Sequence, residues 1–218
     1  YELQSVLPTP LQLDSSDAVA MEQALRIYNG KPLINSTNGK EKSMHEIFPL
    51  AKKYGGVVVC LCLDENGIPE TADGRIKVAK KIINTAAEYG IDKKDLIVDA
   101  LAMTISTDTK NAIETLKAVD YIKHTLGVNT VLGVSNISFG LPNREAVNTA
   151  FYTLCLKAGL SAGIINPKSQ SMMNAYYSYN ALAGLDENCT EYIESAVVID
   201  VVADASNITL LDAIVKGM

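Results

Sequence analysis

The stretch that decides the fold is TVLGVSNISFGLPNR, Thr130–Arg144. Its first five residues form an apolar run typical of a buried parallel strand ending at Val134, and a helical pattern begins at Asn143. Between the two lie small polar side chains. In a parallel α/β protein, the carboxyl ends of the strands are where side chains meet ligands. We therefore expect the other strand ends to carry the rest of any site.

Five further segments repeat this order of a strand followed by a helix. With the quoted stretch, strands are predicted near residues 11, 33, 58, 97, 131 and 163. Alternating units of this kind predict right-handed crossovers and a parallel sheet covered by helices. An open doubly wound sheet and a closed (β/α)8 barrel both fit the pattern. The sequence lacks the Gly-x-Gly-x-x-Gly turn that is typical of a dinucleotide-binding doubly wound sheet. A closed barrel would need two more strand–helix units than these six.

Composition narrows the class of protein. With 218 residues, 48% hydrophobic side chains and a net charge of −6, the chain is expected to form one domain and to bind no nucleic acid. No apolar run reaches the roughly 18 residues of a membrane span, and no signal peptide is expected. A cytoplasmic location is expected. The cysteine spacing matches no metal site, and His45 and His124 fall in helical patterns, so no metal is predicted.

Acidic and amide side chains dominate the predicted strand ends, which carry Asp14, Asn35, Asp64, Asp99, Asn136 and Asn166. No His, Cys or Lys stands at these ends, which argues against nucleophilic catalysis. Carboxylates accept from ring N–H groups, and an asparagine both donates and accepts, so the set suits a flat heterocycle such as a pterin or a purine.

Helix capping is the competing interpretation of these residues. Asp14, Asn35 and Asn143 each stand close to a predicted helix start, where Asp and Asn are common. Asp99 is harder to explain in this way, because its helix begins several residues later. Composition and spacing leave both interpretations open.

Four segments resemble the pterin-binding methyltransferase family, in the family's order: Gln12–Asp17, Leu33–Ser36, Val98–Asp99 and Gly133–Arg144. The similarity is greatest to the folate-binding module of cobalamin-dependent methionine synthases, with stand-alone methyltetrahydrofolate:corrinoid methyltransferases as near relatives. The resemblance implies a (β/α)8 TIM barrel that lacks its first two βα units, with six strand–helix units present. Residues 1–195 would be this partial pterin-binding barrel, and 196–218 a C-terminal extension toward a corrinoid module.

The resemblance also implies a reaction. The methyl group of N5-methyltetrahydrofolate would pass to cob(I)alamin, a corrinoid held by another domain or protein, as the folate part of methionine synthesis. A methylated tertiary amine is a poor leaving group until its nitrogen gains a proton or a strong hydrogen bond. Asn136 would be the catalytic residue, stabilising protonated N5 while water supplies the proton. The stand-alone relatives favour a homodimer.

The substrate-binding residues implied by the resemblance are Asp14, Asn35, Asp99, Gly133, Ser135, Asn136, Arg144 and Ile165. Asp99 is the expected acceptor for the ring amide N–H and the exocyclic amine. Arg144 would hold either the ligand or its loop, and Ile165 and Met173 would pack beside the ring.

Two alternatives stay open. Dihydropteroate synthase, a condensing enzyme of the same barrel family, shares the pterin contacts but places an arginine and a lysine where this chain has Asn136 and Ile137. The other alternative is a folate-binding fragment without turnover, because an arc of six strands leaves two unpaired edges.

Overall fold

A computed structural model describes residues 2–196, whose strands form one parallel sheet. The strands are β1 (Gln12–Asp14), β2 (Leu33–Asn38), β3 (Val57–Leu61), β4 (Leu96–Asp99), β5 (Asn129–Gly133) and β6 (Ala162–Ile164). Each pairs with the next in chain order. A doubly wound sheet would break this order at a switch point. The predicted partial barrel of six strand–helix units is therefore confirmed.

The helices alternate with these strands. They are α1 (Glu2–Val6), α2 (Ala18–Ile27), α3 (Glu41–Tyr54), α4 (Ala72–Glu88), α5 (Asn111–Asp120), α6 (Arg144–Lys157), α7 (Gln170–Leu182) and α8 (Thr190–Ser195). A π-helical turn, Tyr121–Thr125, extends α5, and 3₁₀ turns cover Lys93–Asp95, Val134–Ser138 and Glu187–Cys189. Among the helices of residues 2–196, none has the length and apolar character needed to cross a bilayer.

The hydrophobic core lies between the sheet and the helices. Alternate strand residues enter it, and Ile34, Val58, Cys60, Val98 and Leu132 are all completely buried there. The residues between them point to the opposite, concave face of the sheet. Within residues 2–196, β1 pairs only with β2 and β6 only with β5, so the arc is not closed. The concave face is the interior of a partial barrel.

The helix α3 begins earlier than predicted. The spacing of Ser43 and Glu46 predicts a capping box, but the helix starts at Glu41 and Ser43 lies in its first turn. Instead of capping, the Ser43 hydroxyl lies 3.1 Å from the hydroxyl of Thr37 and accepts the amide of Asn38 at 3.3 Å. The prediction of a cap at Ser43 is wrong because a tertiary partner on β2 takes its side chain.

The sequence also predicts a cap among Ser15, Ser16 and Asp17 for α2 and a cap at Thr107 or Asp108 for α5. The carboxylate of Asp17 caps α2, accepting the amides of Val19 and Ala20 at 2.9 and 3.5 Å. The prediction for α5 is wrong, because that helix begins at Asn111 with Lys110 as its N-cap, and Asp108 accepts the amide of Lys110 in the turn before it.

The capping interpretation fails for two site residues. Asp17 is the N-cap of α2 and Lys40 is the N-cap of α3, so Asp14 and Asn35 cap neither helix. Asn143 stands at the N-cap of α6, but its side chain makes no capping hydrogen bond. The predicted extension 196–218 lies outside the described residues apart from Ala196.

The start of α2 can be tested by substitution. Asp17→Ala removes the carboxylate that accepts two helix amides, and is expected to lower the free energy of unfolding by about 1 kcal/mol. Asp14→Ala is the matched control, because Asp14 caps no helix and its effect should stay within about 0.5 kcal/mol. Urea denaturation followed by circular dichroism measures both. Equal losses in the two variants would contradict this assignment.

Candidate functional site

The strand register gathers predicted site residues on the concave face. Asp14 pairs with Asn35, and Asn35 pairs with Val59 of β3. Two residues further along β3, Leu61 pairs with Asp99 of β4. Because side chains alternate along each strand, Asp14, Asn35 and Asp99 share one face of the sheet. The stagger between them is that of tilted barrel strands.

Asp14 and Asn35 form a hydrogen-bonded pair at one side of this face. Nδ2 of Asn35 donates to Oδ2 of Asp14 at 3.0 Å. Both residues line a cleft of about 450 Å³, in which Asp14 is exposed and Asn35 is half-buried. Their side chains form no second hydrogen bond within residues 2–196, so the other oxygen of each is open to a ring N–H donor.

Asp99 is the buried carboxylate of the site, with 8% of its surface exposed. Its Oδ1 accepts the amide of Leu101 at 2.7 Å, and its Oδ2 has no hydrogen-bond partner among the described residues. Burial raises the pKa of Asp99 to about 6, and the Leu101 amide and the charge of Arg75 oppose this rise. A buried acid with a perturbed pKa at a strand end is typical of a functional site.

Asn136 lies on the loop that follows β5. The strand ends at Gly133, one residue earlier than predicted, and Val134 begins a 3₁₀ turn that contains Asn136. The turn brings the Asn136 amide back toward Gly133, where an added methyl group would lie 3.2 Å from Nδ2. The Asn136 side chain is exposed and makes no hydrogen bond within residues 2–196, which leaves its amide open to a ligand.

The loops after β4 and β5 are joined by hydrogen bonds. The carbonyl of Phe139 accepts the hydroxyls of Thr104 at 2.6 Å and Ser106 at 2.9 Å, and the amide of Ile105 donates to the carbonyl of Ile137 at 2.9 Å. The loop that follows the buried carboxylate of Asp99 is thereby fixed to the loop that holds the exposed amide of Asn136. Sequence reasoning missed Thr104 and Ser106, whose only signal was a run of hydroxyl residues after β4.

Arg144 holds the loop after β5. Its Nε donates to the hydroxyl of Ser138 at 3.0 Å and its Nη2 to the carbonyl of Ser135 at 2.8 Å. Its guanidinium lies 5.8 Å from the ring centre of Phe139. The fully buried Ser138 hydroxyl also contacts Oδ1 of Asn148 at 2.7 Å. Of the two roles predicted for Arg144, these contacts favour holding the loop.

Of the other strand-end residues, Asp64 lies apart from this arrangement, whereas Asn166 lines a cleft of about 480 Å³ together with Ser135 and Arg144. Asp64 accepts the amide of Asn66 at 2.8 Å and lines a separate cleft of about 270 Å³, and Asn166 accepts the amide of Lys168 at 3.0 Å. Both therefore stabilise turns. Ile165 packs against the hydrophobic core and Met173 is half-buried on α7, so their contact with a ring stays a prediction. In the part of the chain described, no cluster of three metal-ligating side chains occurs.

Known proteins share the sequence pattern of this chain. The family model described as pterin binding enzyme matches residues 2–166. Methionine synthase of Mycobacterium leprae is 33% identical over 197 residues, which cover 84% of this chain and 16% of that protein. Methylcorrinoid:tetrahydrofolate methyltransferase of Eubacterium limosum is 28% identical over 193 residues, which cover 87% of this chain and 71% of that protein. The chain thus spans about a sixth of the methionine synthase.

Solved structures share the fold. Dihydropteroate synthase of Yersinia pestis matches with a TM-score of 0.64 at 14% identity, covering 84% of this chain and 76% of that chain. Dihydropteroate synthase of Clostridium difficile, solved in the presence of pteroic acid, matches with a TM-score of 0.65 at 21% identity, covering 83% and 70%. At these identities the likeness establishes the architecture alone.

The raised pKa of Asp99 predicts that its charge destabilises the fold. A rise from the ordinary 3.8 to about 6 corresponds to about 3 kcal/mol. Because the folded pKa exceeds the unfolded one, this penalty is absent below about pH 3.8 and complete above about pH 6. Asp99→Asn is therefore expected to raise the free energy of unfolding by up to about 3 kcal/mol at pH 7 and to change it little near pH 4.

Urea denaturation at the two pH values measures this difference. Asp120→Asn, which neutralises an exposed carboxylate, is the control and should change stability by less than about 0.5 kcal/mol at either pH. A destabilised Asp99→Asn variant at pH 7 would show that the buried charge is better compensated than its surroundings indicate.

Proposed function

The chain belongs to the pterin-binding enzyme family, and on that premise we propose that it binds a methylated tetrahydrofolate on its concave face and transfers the N5-methyl group to a corrinoid. The observation that supports this most directly is a buried carboxylate, Asp99, at the end of β4 and an exposed amide, Asn136, on the loop after β5, because the loops that follow these two strands are hydrogen-bonded to each other.

The polar groups of the concave face match a pterin ring. The ring carries an amide N–H and an exocyclic amine side by side, and Oδ2 of Asp99 is an acceptor without a partner among residues 2–196. With a pKa of about 6, this carboxylate is ionised at neutral pH. Asp14 and Asn35 add one oxygen each on the same face. A neutral ring with several donors would satisfy groups that are otherwise left to solvent.

Asn136 would act at the nitrogen that carries the methyl group. Its amide is not titratable, so it cannot deliver a proton itself. As the carbon–nitrogen bond breaks, a hydrogen bond from the amide to N5, or from protonated N5 to the amide oxygen, stabilises the changing charge, and water supplies the proton. Gly133 keeps the space that this amide needs. Arg144 contributes by holding the carbonyl of Ser135 and hence the turn.

The methyl acceptor in this proposal comes from elsewhere. A corrinoid held by another domain or protein supplies the nucleophile for the methyl group. The relative from Mycobacterium leprae is named methionine synthase, and that from Eubacterium limosum is named for transfer from a methylcorrinoid to tetrahydrofolate. Both directions cross the same transition state, so the contacts at N5 serve either one.

Titration with 5-methyltetrahydrofolate tests the pterin site. The chain is expected to bind it saturably in calorimetry, and Asp99→Ala is expected to weaken binding at least about 100-fold, because two ring donors lose a charged acceptor. Asp64→Ala is the matched control, since Asp64 lines a separate cleft and its removal should leave the affinity unchanged. Wild-type affinity in Asp99→Ala would refute this site assignment.

Methyl transfer to free cob(I)alamin, followed by absorbance, tests the role of Asn136. Asn136→Ala is expected to lower the rate about 100-fold while the dissociation constant of methyltetrahydrofolate changes less than about fivefold. Gly133→Ala, which crowds the same amide, should lower the rate in the same direction.

The asparagine at the other end of β5 supplies the control. Asn129→Ala should keep the wild-type rate, since Asn129 lies at the amino end of the strand. A full rate in Asn136→Ala would remove Asn136 from the mechanism. If the wild type binds methyltetrahydrofolate saturably but shows no turnover, the alternative of a folate-binding fragment without catalysis would be favoured.

A further inference from the structure

A buried arginine lies beneath the loops that follow β3 and β4. Arg75, in the first turn of α4, is completely buried, and it forms no ion pair with a carboxylate of residues 2–196. Burying a charge without a counter-charge is unfavourable unless hydrogen bonds replace its hydration. The partners of its guanidinium therefore show what this residue does.

The guanidinium connects three separate segments. Its Nε donates to the carbonyl of Pro69 at 2.9 Å, and its Nη1 donates to the hydroxyl of Thr115 at 2.7 Å and to the carbonyl of Leu101 at 3.1 Å. Pro69 lies in the loop after β3, Leu101 in the loop after β4, and Thr115 on α5. Nη2 is buried without a partner among the described residues. Arg75 thus joins the loops after β3 and β4 to the helices α4 and α5.

Leu101 has an unusual backbone that these contacts support. Its φ of +62° is in the left-handed region, which is unfavourable for a residue with a Cβ. Its carbonyl accepts from Arg75, and the Thr115 hydroxyl, which accepts from the same Nη1, lies 3.3 Å from this carbonyl and 2.9 Å from the carbonyl of Asn111. Its amide donates to Oδ1 of Asp99 at 2.7 Å. The carbonyl of Leu101 is therefore held by Arg75, while the amide of Leu101 holds the carboxylate of Asp99.

We propose that Arg75 is a positioning residue for pterin binding: it keeps Leu101 in the left-handed conformation, and the Leu101 amide in turn fixes the carboxylate of Asp99. This inference rests on the proposed function, in which Oδ2 of Asp99 accepts from the ring. Without the bonds to its carbonyl, Leu101 relaxes toward negative φ, its amide turns away from Oδ1, and the carboxylate loses the orientation that presents Oδ2.

The charge of Arg75 supports the same role. Arg75 and the Leu101 amide both oppose the rise of the pKa of Asp99 that burial causes. Cys62, which follows β3 and whose amide donates to the carbonyl of Asp99 at 2.9 Å, stays neutral because burial raises its pKa well above the ordinary value. Glu114 of α5 is the remaining charged group near Arg75. Loss of the arginine charge would therefore make Asp99 take up its proton at a higher pH, and the accepting form would be lost earlier on acidification.

Two pairs of variants separate positioning from packing. Thr115→Val removes the hydroxyl that accepts from Arg75 beside the Leu101 carbonyl, and Thr115→Ser keeps it as the matched control. Arg75→Met removes the charge and every donor at similar volume, and Arg75→Lys keeps the charge without the planar donor fork. Each variant is titrated with 5-methyltetrahydrofolate between pH 5 and 8, and the Asp99 carboxyl is followed in the free protein by carbon NMR.

If Arg75 positions the carboxylate of Asp99, the four variants should differ in affinity and in the titration midpoint of Asp99. Thr115→Val should weaken binding about fivefold and Thr115→Ser less than about twofold, while both keep the wild-type melting temperature within a few degrees. Arg75→Met should weaken binding at least about tenfold at pH 7 and move the titration midpoint of Asp99 upward by about one pH unit. Arg75→Lys should weaken binding while the midpoint stays close to that of the wild type.

Other results would overturn the inference. Folded Arg75→Met or Thr115→Val with wild-type affinity and an unmoved Asp99 midpoint would make Arg75 a packing residue only. If Arg75→Met does not fold, the Thr115 pair decides. If the wild type binds no methyltetrahydrofolate, the proposed function fails, whereas the Asp99 midpoint and the hydrogen exchange of the Leu101 amide in Thr115→Val still show whether Arg75 positions the carboxylate.

Discussion

Parallel pairing in chain order is the constraint on which the structure depends. It puts six carboxyl strand ends at one rim, and the register then decides which side chains face the concave side. A slip of one residue in β4 would turn Asp99 toward the helices and bring Val98 out of the core. That slip is opposed because Val98 is completely buried, as are Ile34 on β2 and Val58 on β3. The buried apolar residues of each strand therefore determine that its polar residues point to the concave face.

The same core sets the electrostatics of the site. A carboxylate that is to recognise N–H donors must be ionised, and it recognises them best where water does not compete. Burial raises the pKa of Asp99 to about 6, while the Leu101 amide and the Arg75 charge oppose the rise, so this carboxyl is ionised at neutral pH although it is buried. The cost of desolvating the Asp99 carboxylate lowers the stability of the folded protein, and N–H donors of a bound ring would offset this cost. Stability and recognition are in this way opposed at one residue.

The sequence predicts the structure best where hydrophobic periodicity and the order of the motifs along the chain determine it. The strands and the placement of Asp99 follow from apolar runs and from the order of the motifs. Ser43 was misassigned because its spacing fits a capping box, whereas its actual partner, Thr37, comes from a neighbouring strand. Arg75 was missed because a charged residue in an amphipathic helix is expected at the surface. Such contacts depend on tertiary neighbours that no local pattern contains.

Asp99 and Asn136 differ in solvent exposure, and this difference fits a reaction in which the second reactant approaches from the solvent side. Asp99 is buried, whereas Asn136 is exposed on a loop in which Phe139 has 68% of its surface exposed. A pterin bound to both would have its recognition edge in the protein interior and N5 at the open side. An enzyme acting alone would enclose N5 to strengthen the hydrogen bond of Asn136. Under the proposed function, the domain or protein that carries the corrinoid must reach N5 from this open side, so docking and methyl transfer are coupled.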